Sequence, residues 1–151
     1  MTGETDLIKL YSGRILALAT DMPRTERLAE PCATAKRRAP LCGSTVTVDV
    51  KVEDGVVTDY AQDVKACALG QASAAIVGGA IVGQSVNTVR RGRDQLLAML
   101  KEGGPVPEAP FGELEVLEPA KDYKNRHASI MLAFEATLAA IDEAAAREDC
   151  A

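Results

Sequence analysis

Residues 45–58 read TVTVDVKVEDGVVT, the clearest secondary-structure pattern in the chain. From residue 45 to residue 53, valine alternates with polar residues, which is the pattern of a β-strand with one buried face. Asp54 and Gly55 follow, a pair favoured in two-residue hairpin turns because both turn positions need a positive φ. Residues 56–64 then form the returning strand. The stretch therefore predicts an antiparallel β-hairpin.

The simplest register of this hairpin places Cys42 opposite Cys67. Opposed residues of antiparallel strands have Cβ atoms about 5 Å apart, so two thiolates there could bind one metal ion or one edge of a cluster. The same register places Asp59 and Asp63 on the face of the buried valines, which is unfavourable. A β-bulge in the returning strand would move both aspartates to the other face and shift the pairing by one residue. The two cysteines would remain neighbours.

Helical spacing and turn signals predict the rest of the fold. Helices are expected at residues 5–18, 67–81, 85–101 and 122–147, and shorter elements at residues 33–36 and 112–117. The residues of the helix at 67–81 are small and apolar on every side, which indicates that this helix is buried. Ser85 is suited to cap the next helix. The expected class is α+β, a small antiparallel three-stranded sheet packed against several helices, in a single domain of residues 1–151.

Composition and charge exclude several classes of protein. The chain has 151 residues, of which 47% are hydrophobic and 26% charged, as in globular proteins. Its formal net charge of −5 disfavours nucleic acid as a partner. The basic clusters at residues 36–38 and 90–93 are too short for a phosphate-binding stripe, but either could dock an acidic protein. With an acidic N-terminus and no membrane-spanning apolar run, we expect a cytoplasmic protein without membrane contact, a monomer or weak homo-oligomer.

Two of the four cysteines are candidates for a metal site. In a reducing compartment a disulfide framework is not expected. Cys42 precedes Gly43, whose bare backbone permits a tight approach, and Cys67 begins the predicted buried helix, where the helix dipole and unpaired N–H groups favour a thiolate. A reduced core pair and an adventitious disulfide are the alternatives. Cys32 and Cys150 fit no such arrangement and are interpreted as incidental thiols.

His127, the only histidine, opens the apolar stripe of the last predicted helix. A lone histidine on such a face is typical of a core residue whose ring nitrogens both have partners. Together with two thiolates, however, it would form a common ligand set for zinc or an iron–sulfur cluster, with one position left open. Ser44 could donate a hydrogen bond to a thiolate or act as a weak oxygen ligand. Ordinary polarity at the start of a strand is the simpler interpretation of Ser44.

At these residues the chain resembles the IscU/NifU/SufU family of iron–sulfur cluster scaffolds. The matching motifs are PLCG at residues 40–43, EDGVVTD at residues 53–59 and CALGQASA at residues 67–74. The resemblance covers nearly the whole chain, and the long gap from Cys67 to His127 is similar to that of the SufU branch. The sequence departs from the family twice. Ser44 stands where the family has an aspartate, and the third cysteine is missing from the region of residues 127–128.

The resemblance implies a scaffold rather than an enzyme. A cluster, with a 2Fe–2S type expected, would be held by Cys42, Cys67 and His127, with Ser44 beside it. Sulfur would come from a cysteine desulfurase, and recipient apo iron–sulfur proteins would take the finished cluster. Two other hypotheses remain. Zinc could occupy the same ligands in a SufU-like sulfur acceptor that partners a desulfurase, or the chain could be a degenerate adaptor of the same fold.

Overall fold

The hairpin forms two strands of a three-stranded antiparallel sheet. The computed structural model describes residues 12–40 and 43–147. Strand β1 (Ala33–Arg38) pairs with β2 (Thr45–Glu53), which pairs in turn with β3 (Val56–Lys65). Asp54 and Gly55 have φ values of 52° and 75°, as the predicted turn requires. The expected α+β class is confirmed, and β1 continues two residues beyond the predicted strand.

The pairing of the two hairpin strands shifts by one residue, as the positions of Asp59 and Asp63 predict. The pairs next to the turn keep the simple register, whereas Lys51 pairs with Asp59, so Thr58 is the extra residue of a bulge. Every later pair is shifted by one residue relative to the simple register. Asp59 and Asp63 thereby leave the face that carries the buried valines of β2, and Val48 pairs with Gln62.

Helices occupy most of the remaining described chain. They are α1 (Gly13–Ala19), α2 (Ala68–Ala80), α3 (Val86–Glu102) and α4 (His127–Ala145), with 3-10 segments at Gly112–Asp122 and Lys124–Arg126. Ser85 caps α3 as predicted, since its Oγ accepts a hydrogen bond from the Thr88 N–H at 3.1 Å. Helix α4 begins five residues later than predicted, because Pro119 lies in a 3-10 segment and the backbone at Tyr123 leaves the helical region. None of the helices in the described residues is long and apolar enough to cross a membrane.

Helix α4 holds the layers of the molecule together. It contacts β1, β2, α2 and α3, and its apolar face belongs to one continuous cluster of buried side chains. The hydroxyl groups of Tyr60 on β3 and Thr137 on α4 lie 2.8 Å apart. Burial raises the pKa of the Tyr60 phenol, so the group stays neutral and serves this hydrogen bond. Packing along the whole of α4 therefore fixes the position of His127, the first residue of this helix.

Cys32 corrects one expectation from the sequence. It is buried and disulfide-bonded rather than an incidental thiol. The Cys32 N–H donates to the carbonyl of Val50 at 2.7 Å, and the guanidinium of Arg147 donates to the Cys32 carbonyl at 2.7 Å. Cys32 therefore lies on the sheet, close to the end of α4.

Candidate metal centre

Cys67 stands at the junction between the sheet and the buried helix. It is the N-cap residue of α2, two residues after the end of β3, and its carbonyl accepts the hydrogen bond of the Gln71 N–H at 2.9 Å. The thiol is free, partly buried, and makes no capping bond to the helix. The position confirms the predicted start of this helix. It leaves the sulfur at the positive end of the helix dipole, which favours a metal-binding thiolate.

A chain of hydrogen bonds joins Cys67 to Ser44 through a third residue, Ser129. Cys67 Sγ lies 3.4 Å from Ser129 Oγ, and the Ser129 hydroxyl donates to Ser44 Oγ at 3.1 Å. Both serines are buried. A hydroxyl has one proton, so while Ser129 donates to Ser44 the Cys67 thiol donates to Ser129. If Cys67 ionises, Ser129 can turn its proton towards the sulfur instead.

Close packing of α2 on α4 brings Ser129 to this position. A Cβ atom at Gly70 would lie 2.5 Å from Ser129 Oγ and 2.9 Å from the Cβ of Ala66, so only glycine fits there. One turn later, the hydroxyl of Ser73 donates to the carbonyl of Ile130 at 2.7 Å. These two contacts fix the distance between the helices beside Cys67.

His127 has one satisfied nitrogen and one without a partner. Its side chain is only 3% exposed, and Nε2 lies 3.0 Å from the carbonyl oxygen of Ala120. A carbonyl can only accept, so Nε2 carries a proton, and in the neutral ring the lone pair is then on Nδ1. Nδ1 has no hydrogen-bond partner among the described residues. A carbonyl that fixes the tautomer in this way is the usual support of a metal-ligating histidine.

The loop before β2 is closed by two backbone hydrogen bonds. The Ala39 N–H donates to the Ser44 carbonyl at 2.8 Å, and the Gly43 N–H donates to the Ala39 carbonyl at 2.9 Å. Gly43 has a φ of 71°, so the tight backbone expected of this glycine is present. Cys42, a predicted ligand, lies outside the described residues.

The structure brings together some of the predicted site residues. Ser44 and Cys67 meet through Ser129, whereas the hydrogen bond of His127 goes to Ala120. Within residues 12–40 and 43–147, no group of three or more His, Cys, Asp or Glu side chains is placed to hold a metal ion. Ala128, in the region where the third cysteine of the resembled family is missing, is exposed at the start of α4. A thiol there would be open to solvent and partners.

Sequence reasoning missed Ser129. The residue follows His127 and Ala128 directly and is a polar position in an otherwise apolar stretch of α4. Its place in the stripe of buried residues is the signal that could have drawn attention to it, because a buried hydroxyl needs a partner. Nothing in the spacing indicates that this partner is Cys67, 62 residues earlier in the chain.

Comparison with known proteins gives concordant matches. The sequence model of the NifU-like N terminal domain matches residues 10–130. The iron-sulfur cluster assembly scaffold protein IscU of Thermotoga maritima is 26% identical over 125 residues, which cover 83% of this chain and 87% of that protein.

Solved structures agree with the described fold. The crystal structure of an N-terminal, nitrogen-fixing NifU-like protein from Brucella abortus is 46% identical, with a TM-score of 0.92 over 94% of this chain and 99% of that one. A putative iron-sulfur cluster assembly scaffold protein for the SUF system from Fervidobacterium islandicum is 18% identical, with a TM-score of 0.81 over 89% of this chain and 98% of that one. At that identity, the second likeness shows the fold alone.

Proposed function

Because the chain belongs to the family of NifU-like N-terminal domains, we propose that it is a scaffold on which an iron–sulfur cluster is assembled and then released to recipient proteins. A similar protein, from Thermotoga maritima, carries the scaffold description in its name. The observation that carries the proposal for this chain is the position of Cys67. A free thiol at a helix N-terminus, joined to two buried hydroxyls, has the surroundings of a metal ligand rather than of a core cysteine.

We propose Cys42, Cys67 and His127 as the ligands of the cargo. Cysteine must lose its proton to bind iron, so loading releases a proton from Cys67. The Ser129 hydroxyl is then free to donate to the bound sulfur, which lowers the electron density that the thiolate gives to the metal. Ser44 contributes through Ser129 and needs no bond to the metal. For His127, the lone pair on Nδ1 is the donor.

A 2Fe–2S cluster is the proposed cargo. Mixed cysteine and histidine ligation is known for clusters of this type, whereas larger clusters are commonly held by four cysteines. Three protein ligands leave one iron position for a thiol of a donor or recipient protein, which suits a cluster that must leave. Zinc is the alternative occupant of the same donors.

The proposed partners follow from this chemistry. Inorganic sulfide has to be supplied, and a cysteine desulfurase is the proposed source of the sulfur. The enzyme delivers it as a persulfide, and excess thiol such as free cysteine supplies the two electrons that release sulfide and is itself oxidised to a disulfide. An apo iron–sulfur protein with four thiols would bind the cluster more tightly than three ligands with an open position, and such proteins are the proposed recipients. The chain itself supplies ligands and hydrogen bonds, and no catalytic step is proposed for it.

Transfer of a cluster tests this proposal. The chain would be incubated without oxygen with ferrous iron, cysteine and a desulfurase, separated from these components, and mixed with an apo-ferredoxin. The expected result is a cluster absorption band on the chain that moves to the ferredoxin. Cys67→Ala should abolish both steps, and Lys65→Ala, at an exposed position at the end of β3, should change neither. Formation of the ferredoxin cluster at the same rate without the chain would contradict the proposal.

A further inference from the structure

Folding brings the two short basic clusters of the sequence into one groove. Arg37 and Arg38 at the end of β1 face Arg90, Arg93 and Lys101 of α3 across an open groove of about 860 Å³. Lys124, just before α4, lines the same groove. The clusters at residues 36–38 and 90–93 are more than fifty residues apart in sequence. Their convergence is a product of the fold and not of local composition.

The charges of the groove do not cancel. Its three acidic side chains are already paired. Arg90 holds Asp142, and Arg93 holds both Glu135 at 3.0 Å and Asp94 at 2.9 Å.

The remaining cations have no such partner. Arg37, Arg38, Lys101 and Lys124 form no ion pair with any carboxylate of the described residues. Among the described lining residues, six basic side chains therefore face three acidic ones, an excess of three positive charges on a chain whose formal net charge is −5. Such a reversal of sign attracts an acidic ligand to this surface and to few others.

Apolar side chains line the groove between the charges. Leu97 comes from α3, and Met131, Leu138 and Ala139 come from α4. The described residues of the lining include no Phe, Tyr or Trp, so the groove lacks the large aromatic platform on which proteins stack single-stranded nucleic acid. A lining of this kind suits a polypeptide that carries both carboxylates and aliphatic side chains.

We propose that this groove docks an acidic segment of a partner protein. Its carboxylates pair with Arg37, Arg38, Lys101 and Lys124, and its aliphatic side chains lie against Leu97. His127, Ala128 and Pro40 line the groove as well, so the docked segment lies beside the candidate metal centre. The inference rests on charge and shape and holds whether or not the chain carries a cluster.

Fluorescence polarisation with a labelled peptide tests the docking. The probe is a synthetic peptide in which glutamates flank paired leucines, and its counterpart has every glutamate replaced by glutamine. The test variant is Lys101→Glu with Lys124→Glu. The matched control is Lys51→Glu with Lys65→Glu, which makes the same change of net charge on the hairpin, away from the groove. Both lysines of the test variant are exposed, and circular dichroism would verify that all proteins are folded.

The expected result is saturable binding of the acidic peptide, at least tenfold weaker in the test variant and unchanged in the control. The glutamine peptide should bind more weakly than the acidic one. Absence of binding to the unmodified chain, or equal weakening in both variants, would overturn the proposal. Tighter binding of a single-stranded oligonucleotide, lost in the same test variant, would overturn it in favour of nucleic acid. Dimerisation that the test variant abolishes would overturn it in favour of a second copy of the acidic chain.

Discussion

Ser129 Oγ lies 3.4 Å from Cys67 Sγ, and these two atoms join the start of α4 to the start of α2. Two further contacts fix the position of Ser129. Its hydroxyl donates to Ser44, and its side chain packs against Gly70. Cys67 has a buried hydroxyl within hydrogen-bond distance of its sulfur. It therefore differs from an ordinary core cysteine mainly in its chemistry and less in its packing. The hydrogen bond is available to the thiol, to the thiolate and to a metal-bound sulfur, and it becomes stronger as the sulfur gains negative charge.

Removal of the Ser129 hydroxyl should weaken the binding of iron. We expect Ser129→Ala to bind iron and sulfide but to lose iron to a chelator about tenfold faster, which is the usual effect of deleting a group that supports a metal ligand. The measurement is the decay of the cluster absorption after addition of the chelator. Thr20→Ala is the control, because the exposed Thr20 hydroxyl bonds, among the described residues, only to the Leu16 and Ala17 carbonyls of its own helix. Equal decay rates in the unmodified chain and Ser129→Ala would contradict the role given to Ser129.

Gly70 should be intolerant of a side chain. The Cβ of Gly70→Ala would lie 2.5 Å from Ser129 Oγ, so α2 and α4 must move apart, at a cost of about 1–3 kcal/mol in the free energy of unfolding. Iron binding should fall as well, since Ser129 is displaced from Cys67. Gly79→Ala, in the same helix with nothing within 4 Å, should be neutral or should stabilise the fold by up to about 1 kcal/mol. Denaturant unfolding compares the two variants, and similar effects on stability would refute the packing argument.

A thiol at position 128 should strengthen the site. Ala128 is exposed, so Ala128→Cys should fold normally. If this position lies within reach of the cargo, a third thiolate should slow the loss of iron to a chelator by about tenfold or more. Glu143→Cys adds an exposed thiol elsewhere on α4 and serves as the control. The same rate in both cysteine variants would show that residue 128 does not face the cargo.

Much of the fold could be predicted from local sequence. The alternation of valines, the Asp54–Gly55 turn and the Ser85 cap each act within a few residues, and each is confirmed. Even the bulge at Thr58 was predictable, because two aspartates would otherwise lie on the buried face. Periodicity and turn chemistry are short-range effects, so a single sequence contains them in full.

The site was harder to predict, for a physical reason. The contact between Cys67 and Ser129 depends on the packing of two helices, and spacing along the chain does not determine helix packing. The joining of two basic clusters in one groove is also a long-range result of the fold. Cys42 and His127 remain predicted ligands, since the structure does not test their assignment.

The ion pair between buried Asp49 and the partly exposed Arg27 should make stability depend on pH. Burial alone would raise the pKa of Asp49. Hydrogen bonds from Arg27, Thr34 and the Leu28 N–H outweigh burial and hold the pKa below its ordinary value. A lowered folded-state pKa stabilises the protein above the unfolded value of about 4, and this contribution is lost as the pH falls through the folded value.

Asp49→Asn tests this dependence on pH. The variant should be less stable than the unmodified chain by about 1–3 kcal/mol at pH 7. The difference should shrink as the pH falls from about 4, where the unfolded chain takes up the proton, through the lower pKa of the folded aspartate. Denaturant unfolding at several pH values measures it, with Asp63→Asn at an exposed position of β3 as the control. A difference between Asp49→Asn and the unmodified chain that does not change with pH would argue against a charged Asp49.

The central claim is that Cys67 holds an iron–sulfur cargo, and metal analysis tests it most directly. The chain and Cys67→Ala would be treated with iron and sulfide without oxygen, desalted, and assayed for iron, acid-labile sulfide and visible absorption. The account predicts iron and sulfide in equal amounts with a charge-transfer band in the unmodified chain, and the loss of all three in Cys67→Ala. A chain that retains neither iron nor sulfide, or a Cys67→Ala variant that retains both, would contradict it.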